Sequence, residues 1–422
     1  MNYDLHCRKT DSHELRPRLD VLGFVIHPER IYAVTLSQNL DSLLSGAITD
    51  GRVPGVVALA TDAERTFYEG AFGQRTQGES SKMTPDTVVW IASMTKAITG
   101  AAAMQLVELG KLSLDEPAKG ILPELANRQV LDGFDDEGRP RLRPANGDIT
   151  LRQLLTHTSG FVYDIWNSDM KRYLEATETP GIISCMNAAL DLPLSFDPGT
   201  KWDYGVGIDW VGKMVEAVSG QSLGAYFKDN LFEPMSMNST AFKLTGAMRN
   251  RLAKIHARLS ETEFAPQMEL EIPQEPEFEM GGGGLYSTIG DYAKFVRMIL
   301  NKGTSNGIQI LKPTTVDQMA KNQIGALRVR PLQAAVLEFS NDAEFFSGLE
   351  KSWGLTFMIN EEETPTGRPP GSLAWAGLAN SFYWIDIQNG VGGVYATQII
   401  PFADKASLGL FEAFEKTVYD DR

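Results

Sequence analysis

Cysteine, histidine and long apolar runs are all scarce in this chain of 422 residues. Two cysteines, Cys7 and Cys185, and five histidines are present, and they form neither a CxxC nor an HExxH pattern. Such spacings are typical of zinc sites, so we expect no metal and no other cofactor. The two cysteines also provide no disulfide framework, which favours a reduced, cytoplasmic state.

Membrane signals are equally scarce. No apolar stretch reaches the roughly 18 residues that a transmembrane helix needs. Near the N-terminus the longest apolar run is 21–26, shorter than the roughly 7 to 15 residues of a signal-peptide core. We therefore predict a cytoplasmic protein that contacts no membrane.

Basic charge is in deficit as well. The chain has 39 Lys and Arg against 54 Asp and Glu, a net charge of −15 at pH 7. A field of this sign repels phosphate backbones, and no Lys/Arg-rich run interrupts it, so we expect no nucleic-acid partner. A small molecule remains as the expected partner, and the sequence does not indicate an oligomeric state.

Strand patterns cluster at both ends of the chain, and helix patterns fill the middle. Strands that follow one another without an intervening helix usually pair antiparallel. The sequence therefore predicts an α+β fold, in which one antiparallel sheet is flanked by helices and a mostly helical lobe is inserted. The predicted strands are 55–62, 65–73, 355–359, 372–376, 382–387 and 393–399, and the predicted flanking helices are 37–50, 93–109, 289–300 and 404–419.

The order of these elements also predicts the domains. We expect an N-terminal extension over 1–36 and an α/β sandwich domain built from 37–115 and 281–422. Residues 116–280 would form the mostly helical domain. A cleft between the two domains is the natural place for a substrate.

Two Ser-x-x-Lys tetrads compete as the carriers of chemistry. Ser168 opens a polar helix, where its hydroxyl is expected to be the N-cap and Lys171 to reach water. Ser93 opens an apolar helix, so Lys96, one turn later, would be withdrawn from water. Desolvation lowers the pKa of an ammonium group, and a neutral Lys96 could take the proton of Ser93. The alternative is that Ser93 is only a cap and Lys96 reaches the surface.

A Gly-x-Ser-x-Gly sequence at 303–307 suggests a second nucleophile. The nucleophile elbow of α/β-hydrolases needs a strand before it, a helix after it and a histidine downstream. The last histidine of the chain is His256. We therefore interpret 303–307 as a surface loop.

Five motifs together resemble the serine β-lactamase-like superfamily, and within it the family VIII carboxylesterases and lovastatin-type acyltransferases. The resemblance spans about residues 37–415 and implies the fold of β-lactamases and penicillin-binding proteins, with the site at the domain boundary. The motifs are Ser93-x-x-Lys96, Leu-Leu-Thr-His-Thr-Ser-Gly at 154–160, Asp-Pro-Gly at 197–199 leading to Tyr204, four glycines at 281–284, and Trp-Ala-Gly at 375–377.

The resemblance also implies roles for individual residues. Ser93 would be the nucleophile, Lys96 its activating partner, and Tyr204 a second base that carries the proton to the leaving group. The backbone N–H groups of Ser93 and Leu378 would form the oxyanion hole. From the residues alone, a tyrosine such as Tyr204 is more often a core or turn aromatic, and the resemblance is what favours a catalytic role.

Two departures from the family pattern concern the substrate. β-Lactamases of this type carry an Asn two residues after the Tyr and a Lys at the first position of the late triad. Here these positions hold Val206 and Trp375, so the polar groups that would hold a β-lactam are missing. We expect Val206, Trp375 and Gly377 to contact the substrate, and a Trp wall suits an apolar ester.

The resemblance thus implies a serine esterase for neutral, small to medium carboxylic esters, working through a Ser93 acyl-enzyme. An acyltransferase would use the same acyl-enzyme, and the sequence does not decide between water and another acceptor. A weak β-lactamase and a catalytically silent binding protein are the remaining alternatives. The presence of Ser93, Lys96 and Tyr204 together argues against the silent protein.

Two further features have competing interpretations. Seven glutamates and no Lys or Arg lie in 261–280, where we expect an acidic lid that disfavours anionic substrates, or else a solvated loop.

His157 lies in a Thr/Ser/Gly turn, and we interpret it as a structural hydrogen-bonding residue. Most of the nearby aromatic residues are expected in the core, and one or two could line an acyl pocket: Phe161, Tyr163, Trp166, Trp202 and Phe382.

Overall fold

A seven-stranded antiparallel sheet lies at the centre of the computed structural model, which describes residues 28–421. The helices are α1 (Pro28–Thr49), α2 (Thr95–Glu108), α3 (Leu151–Leu155), α4 (Ser168–Thr177), α5 (Gly207–Ser219), α6 (Leu223–Phe227), α7 (Glu233–Met235), α8 (Gly246–Arg249), α9 (Ile289–Leu300), α10 (Pro313–Met319) and α11 (Lys405–Asp420).

The strands lie before α3 and after α8. They are β1 (Gly55–Asp62), β2 (Thr66–Gly73), β3 (Val89–Trp90), β4 (Gln129–Phe134), β5 (Pro140–Pro144), β6 (His256–Arg258), β7 (Phe264–Pro266), β8 (Tyr286–Ser287), β9 (Thr304–Ser305), β10 (Ile308–Gln309), β11 (Lys351–Trp353), β12 (Met358–Asn360), β13 (Leu373–Gly377), β14 (Ser381–Asp386), β15 (Val391–Ala396) and β16 (Ile399–Ile400).

The central sheet joins the two ends of the chain. Its order is β11-β12-β13-β14-β15-β1-β2, and β1 pairs antiparallel with β15. The predicted α+β class with one antiparallel sheet is therefore confirmed. The domain boundaries proposed from the sequence stay a prediction.

Helices cover both faces of this sheet. Along β14, Phe382 stacks on Phe411 of α11 with ring centroids 4.7 Å apart, while the next residue, Tyr383, contacts Tyr292 of α9 at 5.1 Å. Neighbouring side chains of a strand point to opposite faces, so α11 and α9 cover opposite sides of the sheet. This two-sided burial explains why β14 is apolar over nearly its whole length.

Several helix starts are fixed by side-chain caps. Thr150 and Gln153 form a reciprocal capping box at α3, and Thr288 caps α9. At α4 the cap is Asn167, whose side chain accepts a hydrogen bond from Met170 N. The prediction that Ser168 is the cap was wrong by one residue, because the Asn amide oxygen satisfies the same N–H group.

The predicted starts and ends of three further elements also shift. Ser93 lies in a 3-10 turn, Ala92–Met94, and α2 begins after it. The segment over 223–231, whose pattern predicts a single helix, forms α6 and then a π-helical turn, Lys228–Phe232. The predicted strand over 393–399 divides into β15 and β16, because Gln398 has a left-handed φ of 58°, and β16 pairs with β6 in another sheet.

The N-terminal extension predicted for 1–36 is described in part. Residues 1–27 lie outside the described part of the chain, and α1 already begins at Pro28, where a proline is favourable in a first helical turn. Between residues 28 and 421, no helix is both long enough and apolar enough to cross a membrane.

Phe414 of α11 tests how strongly this helix is fixed to the sheet. The side chain is fully buried and contacts the rings of Trp384 and Tyr395. We expect Phe414→Ala to lower the free energy of unfolding by about 3 to 5 kcal/mol, because it leaves a cavity between helix and sheet. Urea denaturation measures this loss.

The matched control is an exposed residue. Leu259 is 66% exposed, so Leu259→Ala should change the free energy of unfolding by no more than about 0.5 kcal/mol. Equal losses for the two variants would show that α11 adds little to the core.

Candidate active site

The turn that carries Ser93 is shaped by a close backbone approach. Ala92, just before it, has a left-handed φ of 44°, a conformation that costs energy for a residue with a Cβ. At the end of β13, a Cβ added at Gly377 would lie 2.3 Å from the carbonyl oxygen of Ile91. Only glycine allows β13 to pass this close, and Leu378 thereby lies beside Ser93 in one cleft.

Lys96 is completely buried in the first turn of α2. Its Nζ donates hydrogen bonds to Ser93 Oγ at 3.1 Å, to Tyr163 Oη at 2.9 Å and to the Gly282 carbonyl oxygen at 2.6 Å. Burial lowers the pKa of Lys96 to about 7, against the opposing attraction of the Asp209 carboxylate. The alternative in which Lys96 reaches the surface was therefore wrong.

Tyr204 is the third group of this cluster. Its ring centroid lies 4.7 Å from Lys96 Nζ, and its hydroxyl accepts a hydrogen bond from Trp375 Nε1 at 3.0 Å. Burial raises the pKa of Tyr204, whereas hydrogen bonds with Ser93 and Trp375 lower it. The structure thus brings Ser93, Lys96 and Tyr204 together.

Tyr163 is a further member of the cluster, and the sequence predicts it only as one of five aromatics that lie in the core or line an acyl pocket. Its hydroxyl accepts from Lys96, and its backbone N–H donates to the Tyr204 carbonyl oxygen at 3.2 Å. Burial raises the pKa of Tyr163 far above its usual value, so the phenol is neutral near pH 7. Its place three residues after Gly160 of the second motif is the only signal that could have found it.

His157 supports Tyr204 from behind, in agreement with its structural interpretation. Its carbonyl oxygen accepts from Asp203 N at 3.0 Å, and its Nδ1 accepts from Gly205 N at 3.3 Å. These two bonds hold the residues on both sides of Tyr204. Because Nδ1 must be unprotonated to accept, this support requires a neutral ring.

Two small clefts meet at Ser93. Among the residues lining them, none carries a charged side chain, and the predicted contacts Trp375 and Gly377 are included. Val206, only 1% exposed at the start of α5, is not among them. One cleft is lined by Trp90, Tyr163, Ile165, Ile182, Ile183 and Met280, the other by Tyr204, Leu332, Trp375, Ala376, Gly377 and Phe402, and both by Ser93, Trp166 and Leu378.

The acidic segment over 261–280 reaches this site only through Met280. Four of its glutamates are held by the surrounding fold. Glu271 and Glu275 pair with Arg249 and Lys243 on the surface, and Glu277 and Glu279 accept backbone N–H groups. The segment's effect on anionic substrates stays a prediction.

The second candidate nucleophile is remote from this chemistry. Ser305 ends β9 of a two-stranded hairpin, and the following Asn306 and Gly307 form a turn with left-handed φ values of 51° and 74°. No strand-to-helix elbow exists there. Within residues 28–421 no three His, Cys, Asp or Glu side chains are grouped to hold a metal ion.

The arrangement around Ser93 has the parts of an acyl-transfer site. The Ser93 hydroxyl contacts a buried amine, the Tyr204 phenol lies beside both, and Leu378 lies in the same cleft as Ser93. A hydroxyl beside an amine and a phenol can act in acyl transfer.

Comparisons with known proteins agree with this geometry. A family model described as beta-lactamase matches residues 40–411. A lovastatin esterase from Penicillium rubens is 32% identical over 402 residues, covering 90% of this chain and 98% of that protein. A monacolin J acid methylbutanoyltransferase from Aspergillus terreus is 31% identical over 400 residues, covering 90% of this chain and 95% of that protein.

A comparison with solved structures also finds a similar protein over most of the chain. A solved structure of a simvastatin synthase mutant from Aspergillus terreus superposes with a TM-score of 0.79 at 30% identity. The match covers 92% of this chain and 97% of that structure.

The neutral state of His157 has a consequence for stability. Burial and the charge of Lys96 lower the pKa of His157 well below 6.5. Below about pH 6.5 the unfolded chain therefore binds a proton that the folded chain does not, and stability falls by up to about 1.4 kcal/mol per pH unit. His157→Asn keeps an acceptor and tolerates the left-handed φ of 57°.

We expect His157→Asn to lack the loss of folding stability at low pH that His157 causes, because Asn does not titrate. The difference in free energy of unfolding between the two proteins should shrink by about 1 kcal/mol or more between about pH 7.5 and about pH 5.5. Urea denaturation at both pH values measures it. A difference that stays constant would mean that His157 binds a proton equally well in both states.

Proposed function

The chain belongs to the beta-lactamase family, and from this premise we propose that it is a serine esterase for neutral, small to medium carboxylic esters. The family and its relatives make the chain a serine hydrolase or acyltransferase. The observation that carries the finer proposal is the contact of Lys96 Nζ with Ser93 Oγ, 3.1 Å long, at the meeting point of two uncharged clefts.

Acylation begins with the Ser93 hydroxyl. Because burial lowers the pKa of Lys96 to about 7, a large fraction of its amine is neutral near pH 7 and can accept the Ser93 proton. Ser93 Oγ then attacks the ester carbonyl carbon. The N–H groups of Ser93 and Leu378 stabilise the oxyanion that forms.

Collapse of this intermediate expels the alcohol. Tyr204 gives its phenolic proton to the leaving oxygen, and the proton held by Lys96 restores the phenol. The hydrogen bond from Trp375 Nε1 stabilises the transient phenolate. Water then attacks the acyl-enzyme, with the same two groups removing and returning one proton, and the carboxylic acid leaves.

The position of Tyr204 assigns the two clefts. A general acid must contact the leaving oxygen, and Tyr204 lines only the cleft with Leu332, Trp375 and Phe402. The alcohol part of the ester therefore binds there. The acyl chain binds in the other cleft, whose isoleucines and Met280 suit a short apolar chain.

An acyltransferase is the second candidate, and the identity of 31% to a monacolin J acid methylbutanoyltransferase favours it. It needs no other residues, because an alcohol bound in the Tyr204 cleft can take the place of water. The product ratio in the presence of an alcohol distinguishes the two activities.

Ser93→Ala tests the acyl-enzyme. Hydrolysis of p-nitrophenyl butyrate should fall by about a thousandfold or more, since the nucleophile is lost. Ser305→Ala, which alters the Gly-x-Ser-x-Gly hairpin, is the matched control and should keep full activity. With butanol present, butyl butyrate reports transfer and butyric acid reports hydrolysis. Activity that survives in Ser93→Ala would overturn the proposal.

Trp375→Phe tests the hydrogen bond to Tyr204 apart from the aromatic wall. Without the indole N–H the pKa of Tyr204 rises further, and kcat/KM for a neutral ester should fall about tenfold or more. The control is Trp353→Phe, because Trp353 Nε1 donates to the Leu155 carbonyl oxygen and not to Tyr204. Equal losses in the two variants would contradict this role.

A further inference from the structure

Asp209 is a buried carboxylate that the mechanism above does not use. It lies in the first turn of α5 and is 1% exposed. Its Oδ1 accepts a hydrogen bond from the backbone N–H of Gly282 at 2.7 Å. Its Oδ2 is buried and has no hydrogen-bond partner among the residues that the structure describes. A charged oxygen in this condition is costly unless a nearby cation compensates it.

Gly282 connects this carboxylate to Lys96. The N–H of Gly282 donates to Asp209, and its carbonyl oxygen accepts from Lys96 Nζ at 2.6 Å. A Cβ added at Gly282 would lie 2.5 Å from Asp209 Oδ2, so the backbone lies directly against the carboxylate. One glycine thus forms hydrogen bonds with the acid and the base at once.

Lys96 is the group near Asp209 whose positive charge can compensate the carboxylate. The other titratable side chains that feel its charge are Tyr163, Tyr204 and Cys185, and burial favours the neutral form of each. His157, which faces Lys96, is held neutral as well. Val206, at the turn into α5, brings no polar side-chain atom.

We propose that Asp209 is a positioning residue for Lys96, which it aligns through Gly282 and whose ammonium form it balances after the Ser93 proton is taken. This inference rests on the proposed function. The bond that forms is N–H on Lys96 and the bond that breaks is O–H on Ser93. Asp209 exchanges no proton in this step.

The carboxylate and the amine influence each other in known directions. Burial raises the pKa of Asp209, and the charge of Lys96 opposes that rise. The negative charge of Asp209 in turn raises the pKa of Lys96 against burial. Neutralising residue 209 should therefore lower the pKa of Lys96 and leave its ammonium form without compensation.

Asp209→Asn tests the charge apart from the hydrogen bond. The amide oxygen can still accept from Gly282 N, but the charge is gone. We expect the acid limb of the kcat/KM profile for p-nitrophenyl butyrate to move down by about one pH unit or more. The maximum of the profile should also fall by about tenfold or more. A merely structural role predicts an unchanged acid limb.

Asp291→Asn is the matched control. Asp291 is also a buried carboxylate that accepts a backbone N–H, from Ser239 at 2.6 Å, and its cation is Lys294. Its replacement should leave the pH profile in place. If the Asp209 and Asp291 variants behave alike, the inference is overturned.

If Asp209→Asn does not fold, as thermal unfolding would show, a second variant tests the same contact. Gly282→Ala keeps the charge but pushes the carboxylate away from the loop, and it should lower kcat/KM with the protein folded. Wild-type activity and pH profile in Gly282→Ala would count against the inference.

Reaction with a fluorophosphonate separates this inference from the proposed function. If wild-type Ser93 is not labelled and no ester is hydrolysed, the proposed function fails, and the inference fails with it. If the wild type reacts and Asp209→Asn keeps the wild-type acid limb, only the role of Asp209 is refuted.

Discussion

The complete burial of the Lys96 amine is the constraint on which the site depends. An ammonium group without water must find its hydrogen bonds in the protein, and Lys96 finds them in a serine, a tyrosine and a backbone carbonyl. These partners come from the 3-10 turn before α2, from the segment before α4 and from the glycine-rich loop before β8. The amine therefore fixes the relative positions of three separate parts of the chain.

In the proposed mechanism, burial serves catalysis because it removes the stabilisation of charge by water. The same desolvation lowers the pKa of Lys96 and raises that of Tyr204, so the amine becomes a base and the phenol stays a proton donor. The surface of the protein is strongly acidic, with a net charge of −15. The two clefts at Ser93 are lined by uncharged residues, so an ester bound as proposed would leave the acidic surface for a neutral environment.

The fold class and the burial of Lys96 could be predicted from local patterns in the sequence, whereas only the family resemblance assigned Tyr204 and Leu378 to the site of Ser93. Consecutive strand patterns predicted the antiparallel sheet, and the apolar residues around Lys96 predicted that its side chain is buried. Tyr163 and Asp209 could not be found in this way. Their importance comes from contacts with Lys96 and Gly282. Apart from the place of Tyr163 three residues after the second motif, nothing near them in the sequence separates them from core residues. The residue that caps a helix was predicted wrongly where two neighbouring residues can both act as the N-cap, as Asn167 and Ser168 can.

The pairing of β1 with β15 has a further consequence. It joins strands near the beginning and the end of the described chain, and β13, whose end places Leu378 beside Ser93, belongs to the same sheet as these strands. Contacts between parts so distant along the chain form late, since a long loop must close before they stabilise anything. During refolding, ester hydrolysis should therefore return only after the whole sheet has assembled, which makes enzymatic activity a reporter of completed folding.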